Sequence, residues 1–404
     1  MSKYWKSIVL FTFTAVIIGV FYVKADTVSN GFAQLKFEKK EGNDAAVEKL
    51  VINGDLFYGM FSFEPFRVDK QGTTYLRDES FSKRLKGFYP DLYIEQLQKE
   101  YRNFMRGKDE DPDYYYEDEN ILAYGDTPYE FWTYDNYKFE IAVLDKKTND
   151  TISFSLPIPN RGDYWYVEPY GVFVEGKELS IITVNEKMSN ETTQSTTAHL
   201  YTFDLEKEQL TNEEVIGSVD YSNDGEGYSE ISLVKGEDSF IIAGLTVTPV
   251  EFDEESGYYN ETGKLTNLIK YDIKSKHVEE ISIPENEDIG IPFSLNGDQI
   301  YFASVEKNQL FLSIYNTETK KVTDKLEIDN INSYMSIYDI QQAEVEDGKL
   351  YFVPSTQNVG ELPSIVVVDL NNLTLDYIGQ IVNTKPPENN EIVEMYFNYP
   401  ELKQ

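Results

Sequence analysis

The chain has 404 residues, 41% hydrophobic and 14% aromatic, which suits one large repeat domain or two ordinary globular domains. Its formal charge of −35 excludes nucleic acid as a partner and matches anionic lipid headgroups poorly, because both bind clustered lysine and arginine. The lack of cysteine excludes disulfides, thiolate metal sites and cysteine nucleophiles. Exported proteins of Gram-positive bacteria commonly have no cysteine, so we expect such a source.

Residues 1–25 have the pattern of a signal anchor. Lys3 and Lys6 precede an uncharged apolar run over residues 7–23, which as a helix is about 25 Å long and can span the hydrocarbon of the cytoplasmic membrane. The basic flank stays inside, so residues 26–404 form an extracytoplasmic domain of a single-pass membrane protein. The alternative is cleavage after Ala25 by a signal peptidase. We favour a retained anchor, because the run is long for a signal peptide and Lys24 crowds the cleavage site.

Five glycine turns follow, each flanked by apolar runs. Aspartate or asparagine before glycine is a strong hairpin signal, because the primed turns need a positive φ. The strand after each turn is nearly all apolar, as expected for a strand buried on both faces. The turn pairs are Asn53-Gly54, Glu175-Gly176, Lys235-Gly236, Asn296-Gly297 and Asp347-Gly348.

A second hairpin follows each glycine turn, and its first strand ends at an aspartate or asparagine: Asp145, Asp204, Asp272, Asn316 and Asp369. The last four glycines are spaced by 60, 61 and 51 residues. Four strands per unit at such a period resemble the blades of β-propellers, over about residues 32–400. We predict an all-β fold of five or six four-stranded blades and favour six. The strand-like pieces at 32–40 and 391–400 are expected to help close the ring.

The first unit contains a predicted insertion over residues 65–126. Its middle reads as a helix over residues 90–107, where Ile94, Leu97, Tyr101, Phe104 and Met105 recur at helical spacing. Two interpretations are open for this apolar stripe: packing onto the propeller, or docking of a partner helix. The residues that we select as candidates for contacting a partner are Tyr101, Phe104, Tyr114, Tyr115 and Tyr116.

Motifs that carry chemistry are scarce. The two histidines, His199 and His277, lack the neighbours that a catalytic triad or a zinc site needs. Residues 220–230 resemble the start of a calcium loop, with Asp220, Asp224 and Glu226 as candidate ligands, but Ile231 stands where an EF-hand has glutamate. The alternative interpretation of this segment is a solvated polar loop.

These features favour a membrane-anchored propeller that binds, scaffolds or senses a partner in the cell envelope, without catalytic activity. The alternative is a propeller hydrolase that cleaves a carbohydrate or wall polymer with carboxylates in its central channel. No cofactor is predicted apart from the candidate Ca²⁺ ion. A channel filled by apolar side chains would exclude the hydrolase.

The retained anchor predicts that the native protein needs detergent for extraction and that its intact mass includes residues 1–25. The physical reason is that an uncleaved apolar helix stays in the bilayer. Mass spectrometry of the protein extracted from membranes measures this directly. A soluble species that starts at Asp26 would contradict the prediction.

Overall fold

The structure is a computed structural model that describes residues 12–14, 32–57, 63–128, 138–187, 193–222, 227–236, 239–252, 259–282, 290–306, 309–328, 343–354, 361–385 and 394–403. Within the predicted anchor, only residues 12–14 are described, and they are helical. None of the described helices is long and apolar enough to cross a membrane.

The first half of the described chain forms twelve strands. They are β1 (Leu35–Gly42), β2 (Leu50–Phe57), β3 (Phe63–Asp69), β4 (Gly72–Tyr75), β5 (Tyr115–Glu117), β6 (Ile121–Asp126), β7 (Lys138–Asp145), β8 (Thr151–Pro157), β9 (Tyr164–Glu175), β10 (Glu178–Lys187), β11 (Thr193–Asp204) and β12 (Gln209–Ser222).

The second half continues with thirteen more. They are β13 (Tyr228–Lys235), β14 (Ser239–Phe252), β15 (Tyr259–Asp272), β16 (His277–Glu280), β17 (Ile291–Asn296), β18 (Gln299–Glu306), β19 (Gln309–Asn316), β20 (Lys321–Ile328), β21 (Glu344–Glu346), β22 (Lys349–Phe352), β23 (Ser364–Asp369), β24 (Thr374–Asn383) and β25 (Glu394–Leu402).

These strands make six antiparallel sheets, which we number in chain order. The first sheet has the order β25-β2-β3-β4, the second β5-β6-β7-β8 and the third β9-β10-β11-β12. The fourth is β13-β14-β15-β16, the fifth β17-β18-β19-β20 and the sixth β21-β22-β23-β24-β1. The predicted all-β class and the four-stranded unit are therefore confirmed, with one sheet extended by a fifth strand.

The first strand of the domain joins the last sheet, and the last strand joins the first sheet. Strand β1 pairs with β24 in the sixth sheet, from Leu35 opposite Asn383 to Gly42 opposite Tyr377. Strand β25 pairs with β2 in the first sheet, where Leu50 lies opposite Leu402. The two terminal pieces that were expected to help closure thus each become an edge strand, but of two different sheets.

The second-hairpin markers share one turn geometry. The Oδ1 atom of Asp204 accepts the backbone N–H groups of Glu206 at 3.0 Å and Lys207 at 2.9 Å, and Asp145, Asp272, Asn316 and Asp369 accept equivalent bonds. These side-chain-to-backbone bonds satisfy turn N–H groups that would otherwise have no backbone partner, and so stabilise the turn. We call these Asx turns. Four residues after each marker the backbone φ is positive, at Asn149, Glu208, Lys276, Lys320 and Leu373.

Each glycine turn of the later sheets lies beside an Asx turn. The backbone N–H of Leu205 donates to the carbonyl of Lys177 at 2.9 Å, and that of Leu370 donates to the carbonyl of Gly348 at 2.8 Å. Both kinds of turn therefore cap the same end of the strands. This bond explains why the two sequence patterns recur together.

Four of the five glycine turns join strands as predicted, and the first does not. Gly54 lies inside β2, next to an irregularity in its pairing with β25. A Cβ atom there would come within 2.5 Å of Phe66 Cζ and of the carbonyl oxygen of Tyr396. The glycine at this position permits a close approach of three strands, so the Asn-Gly turn signal was wrong here.

The core is divided among the contacts between neighbouring sheets. Separate clusters of buried apolar side chains join the second sheet to the third, the third to the fourth, the fourth to the fifth and the fifth to the sixth. Another cluster joins the sixth sheet to the first. Among the described residues, no core cluster joins the first sheet directly to the second.

The predicted insertion over residues 65–126 is wrong in its boundaries. Its ends are strands of two different sheets, with β3 and β4 in the first and β5 and β6 in the second. The segment between them, 76–114, contains helices α1 (Phe81–Arg84) and α2 (Leu92–Glu100). Aspartate 91 caps α2 by accepting the N–H groups of Tyr93 and Ile94. The sequence pattern did not show these sheets because the first unit lacks a glycine turn.

The close approach at Gly54 predicts that Gly54→Ala lowers the free energy of unfolding by about 1–3 kcal/mol, the usual cost of overpacking. Phe66 is fully buried, and a side chain in a close-packed interior cannot shift without displacing its neighbours. Urea unfolding of the two proteins measures the difference. Gly162→Ala is the matched control, because a Cβ atom there meets nothing within 4 Å. Equal losses in the two variants would contradict the packing argument.

Candidate functional site

A cavity of about 1220 Å³ lies between the sheets. Its wall comes from the first strands of several sheets together with parts of the 76–114 segment. The lining is Asn53, 88–93, 109–113, Tyr170, 230–236, 292–295, 343–346 and 398–402. The cavity is thus lined by acidic and other polar groups together with apolar side chains, and the acids keep the hydrolase alternative open.

Glu401, in β25, is the most enclosed acid of the cavity wall. Its side chain is 8% exposed, and its carboxylate accepts hydrogen bonds from the side-chain amide of Asn53 and, at 2.9 Å, from the backbone N–H of Leu92. Burial, reinforced by the negative charge of Asp91, raises the pKa of Glu401 to about 7. The bond to Leu92 and the charge of Arg67 act in the opposite direction. Glu401 therefore fixes the start of α2 against the first sheet.

Arg67, in β3, extends this contact into a network. Its Nε donates to Asn53 Oδ1 at 2.8 Å, and its other nitrogens bind Glu95 at 3.0 Å and the carbonyl of Pro90. The guanidinium also lies 4.3 Å from the ring centre of Tyr89. Arginine can make all these contacts at once because its planar head has five donors. The network holds residues 89–95 at the cavity, between the first and second sheets, which share no core cluster among the described residues.

Residues 109–113 form a second acidic part of the wall. Asp109 accepts the N–H of Asp111 at 3.1 Å, and Asp111 accepts the N–H of Asp113 at 2.9 Å. Burial raises the pKa of Asp111 to about 6, and the charges of Asp113 and Asp109 add to the effect. Burial also raises the pKa of Asp113, against a lowering effect of Lys235. The Asp113 side chain is exposed, but to the water of the cavity, so protein surrounds it on several sides.

Glu344, in β21, faces the same space. Desolvation is the largest cause that raises the pKa of Glu344 to about 7, followed by the charges of Asp91, Glu346 and Asp113. Like Asp113, its side chain is exposed to the cavity. A carboxyl group with a pKa near neutrality can bind a cation, or can hold and release a proton near pH 7. Among the cavity acids with a raised pKa, Glu344 is freer than Glu401, whose two oxygens are both hydrogen-bonded.

The predicted partner-contact residues lie in the 76–114 segment and in β5, outside the cavity lining. Phe104 and Tyr115 are buried in a cluster with Ile94, Leu97 and apolar residues of the second sheet. Tyr101 and Tyr114 are half-buried against that cluster, and Tyr116 packs at the edge of the second and third sheets. The helical stripe therefore packs onto the sheet, which is the first of its two interpretations. Contact with a partner through these side chains stays a prediction.

The calcium candidates are only partly described. Asp220 lies near the end of β12 and is exposed, while Asp224 and Glu226 fall outside the described residues. Within the described part of the chain, no three acidic, histidine or cysteine side chains are grouped so that they could hold a metal ion. Calcium binding stays a prediction.

His199 lies inside the third sheet, away from the cavity lining. It is 2% exposed, and its ring nitrogens lie 3.3 Å from the Tyr164 hydroxyl, 3.0 Å from Thr197 Oγ1 and 3.4 Å from the Tyr201 hydroxyl. Burial lowers the pKa of His199 to about 4. The neutral imidazole thus satisfies neighbouring hydroxyls inside the sheet.

The sequence analysis missed the acids of the cavity. Asp109, Asp111 and Asp113 stand in a dense acidic run that reads as a solvated loop, and Glu344 and Glu401 stand in ordinary strand patterns. The only local signal for Glu401 was an acid between the apolar residues Pro400 and Leu402. Its significance depends on β25 joining the first sheet, which no local pattern reports.

No protein-family model matches the chain, and no curated protein matches it. Solved structures that it resembles include an acylaminoacyl peptidase from Pyrococcus horikoshii, with a TM-score of 0.31 and 14% identity over 84% of this chain and 45% of that one. A prolyl endopeptidase has a TM-score of 0.31 and 10% identity over 85% of this chain and 52% of that one. A polysaccharide lyase has a TM-score of 0.30 and 8% identity over 86% of this chain and 89% of that one. The chain spans about half the length of the two peptidases. Likenesses this weak carry no weight for its function.

The raised pKa values predict how the cavity acids affect stability. Between their ordinary values near 4 and their folded values near 6 and 7, Asp111 and Glu344 bind more protons in the folded state than in the unfolded state. Their contribution to the free energy of unfolding is therefore fully present at low pH and is lost as pH rises towards 7. We expect D111N/E344Q to gain melting temperature relative to the wild type as pH rises from 5 to 8.

Thermal unfolding of the wild type and D111N/E344Q at pH 5 and pH 8 measures this difference in melting temperature. Because the two proteins are compared at the same pH, the opposite effect of His199 on stability cancels. His199, with its lowered pKa, adds stability as pH rises from about 4 to its ordinary 6.5, in both proteins alike. A pH-independent difference would contradict the raised pKa values.

Proposed function

We propose that the six sheets are the blades of one β-propeller. The support is the packing of each sheet from the second to the fifth on the next one in the chain, the packing of the sixth on the first, and the pairing of each terminal strand with a sheet at the opposite end of the domain. A closed ring places the first strand of each blade around a central channel. The cavity, lined by parts of β2, β9, β13, β17, β21 and β25, corresponds to that channel.

The apolar run over residues 7–23 anchors this propeller in the cytoplasmic membrane, with the domain outside. The basic flank and the acid-free first 25 residues support this orientation. A tethered domain of this kind acts on molecules of the cell envelope.

The cavity serves as a binding site for a positively charged segment of an envelope partner, such as a lysine-rich peptide. The observation that carries this function is the convergence of Asp91, Asp111, Asp113 and Glu344 on one cavity, with Lys235 nearby. Charges of one sign in a cleft with low-dielectric walls focus the field and raise the local concentration of opposite charges. A bound cation would also ionise the acids whose pKa is raised, so binding would release protons.

The second candidate function is acid–base hydrolysis of a wall polymer. It is favoured by one observation, the pKa of Glu344 near 7 in a cavity shared with other carboxyl groups. A general acid works best with a pKa close to the working pH. Glycoside hydrolysis needs two carboxyl groups about 5–10 Å apart on either side of the bond.

Tetralysine is the probe that tests the binding function. We expect the full-length protein in detergent micelles to bind it by calorimetry, more tightly at pH 8 than at pH 6, because deprotonation adds negative charge. The variant D111N/D113N/E344Q should lose affinity by roughly tenfold, about 1.4 kcal/mol. The matched control is E206Q/E208Q/E318Q, which removes the same charge from exposed turns.

Equal losses in the two triple variants would mean that tetralysine responds only to the net charge, and would overturn the cavity as the site. Purified wall polymer provides the contrast with the second candidate. Release of reducing ends that E344Q abolishes would favour the hydrolase over the binding module.

A further inference from the structure

The segment Ser80–Phe88 differs from the rest of this acidic chain. Its nine residues, SFSKRLKGF, contain three basic residues and no acid. Three large apolar side chains in it are exposed: Phe81 by 62%, Leu85 by 71% and Phe88 by 48%. Apolar side chains interleaved with lysine and arginine are typical of surfaces that lie in a membrane interface.

The start of the described domain lies beside this segment. Phe32 packs on Tyr75, with ring centres 5.1 Å apart, and the Arg77 guanidinium lies 4.3 Å from the Phe32 ring centre. The Tyr75 hydroxyl donates to the carbonyl of Ala33 at 2.6 Å. Since α1 begins four residues after Arg77, the chain enters the domain close to Ser80–Phe88.

The chain between the predicted anchor and Phe32 is short. Residues 24–31 are eight residues, and however they run they cannot span more than about 30 Å. A compact domain of this size is about 50 Å across. With the anchor in place, the face around Phe32 must therefore stay near the bilayer, whereas the opposite face cannot reach it.

Strand directions place both features on one face. Strand β24 starts at the Asx turn of the sixth sheet and ends at Asn383, opposite Leu35, so β1 starts at the end away from that turn. Strand β4 likewise starts at its turn with β3 and ends at Tyr75. The first residues of the 76–114 segment, like Phe32, therefore lie at the end of the strands opposite the Asx turns.

Charge selects the part of this face that meets lipid. A domain with a large negative charge is repelled by anionic headgroups unless the contacting surface lacks acids. Lys83 and Lys86 make ion pairs with Glu79 at 3.2 Å and with Glu110 at 3.1 Å, but they stay 46% and 33% exposed. Exposed ion pairs of this kind contribute little to stability, so a lipid phosphate can take the place of the glutamate.

We propose that Ser80–Phe88 is a membrane-contacting surface, with Phe81, Leu85 and Phe88 in the headgroup interface of the bilayer that holds the anchor. This inference rests on the anchor of the proposed function. It sets the orientation of the propeller, with the face around Phe32 and Ser80–Phe88 towards the membrane and the Asx turns away from it. Since Phe88 also lines the cavity, one rim of the binding site would lie next to the lipid headgroups.

The lack of cysteine makes the test direct, because one introduced cysteine is a unique labelling site. Full-length S82C, labelled with an environment-sensitive fluorophore, is reconstituted into vesicles of equal parts phosphatidylcholine and phosphatidylglycerol with brominated acyl chains. We expect severalfold stronger quenching by the brominated lipid at position 82 than at T319C. Thr319 lies in the Asx turn of the fifth sheet and is exposed.

A pair of double variants isolates the apolar contact. F81S/L85S in the S82C background should lower the quenching to the level seen at position 319. The matched control I152S/V215S removes two exposed apolar side chains from other sheets and should leave it unchanged.

Three outcomes separate the two proposals. Protein that does not enter the vesicle fraction lacks the anchor, and this contradicts the proposed function. Protein that enters the vesicles with equal, weak quenching at positions 82 and 319 overturns the membrane-contacting surface alone. Quenching at position 82 that disappears on dilution of the protein in the bilayer indicates contact between copies of the chain, and also overturns it.

Discussion

The pairing of β25 with β2 is the constraint on which the rest of this molecule depends. It joins residues 348 positions apart and gives the first sheet the strand that faces the cavity. Loop closure over such a separation costs conformational entropy, and the cost is repaid only if many contacts form together. Here the same pairing brings Glu401 to Asn53 and to the start of α2, and brings apolar residues of the first sheet against the sixth. Gly54 permits it, since any larger residue would meet Phe66.

The contact between the first and second sheets differs from the contacts between the other neighbouring sheets. Apolar clusters join the other neighbouring sheets in the described chain, whereas the first and second sheets meet through the 76–114 segment and the polar network around Arg67. A buried polar network is stable only when its donors and acceptors are paired, and here the Arg67 head meets Asn53, Glu95 and Pro90. Polar contacts at this position also create the acidic part of the cavity wall, so the fold and the proposed binding site depend on the same residues.

These contacts gather part of the negative charge of the chain at one place in the fold. In sequence, the acids are spread throughout, and their plain interpretation is solubility. In the structure, a subset converges on the cavity, where burial and mutual repulsion raise the pKa of Asp111, Glu344 and Glu401. The basic and apolar segment at residues 80–88 lies on the face where the chain enters the domain. An acidic cavity and one basic, apolar segment are consistent with a tethered protein that binds cations.

Local chemistry determined the repeating unit from the sequence alone, because turns are specified by a few adjacent residues. Asp204 and its four counterparts lie at the predicted second hairpins, and four of the five glycine turns join strands. Only the tertiary structure decided which sheet each terminal strand joins, where residues 65–126 divide, and which acids share a cavity. Those outcomes depend on contacts between residues far apart in the chain. A pattern read along the sequence therefore predicts a strand that ends next to Glu401, but not that Glu401 shares a cavity with Asp91 and Glu344.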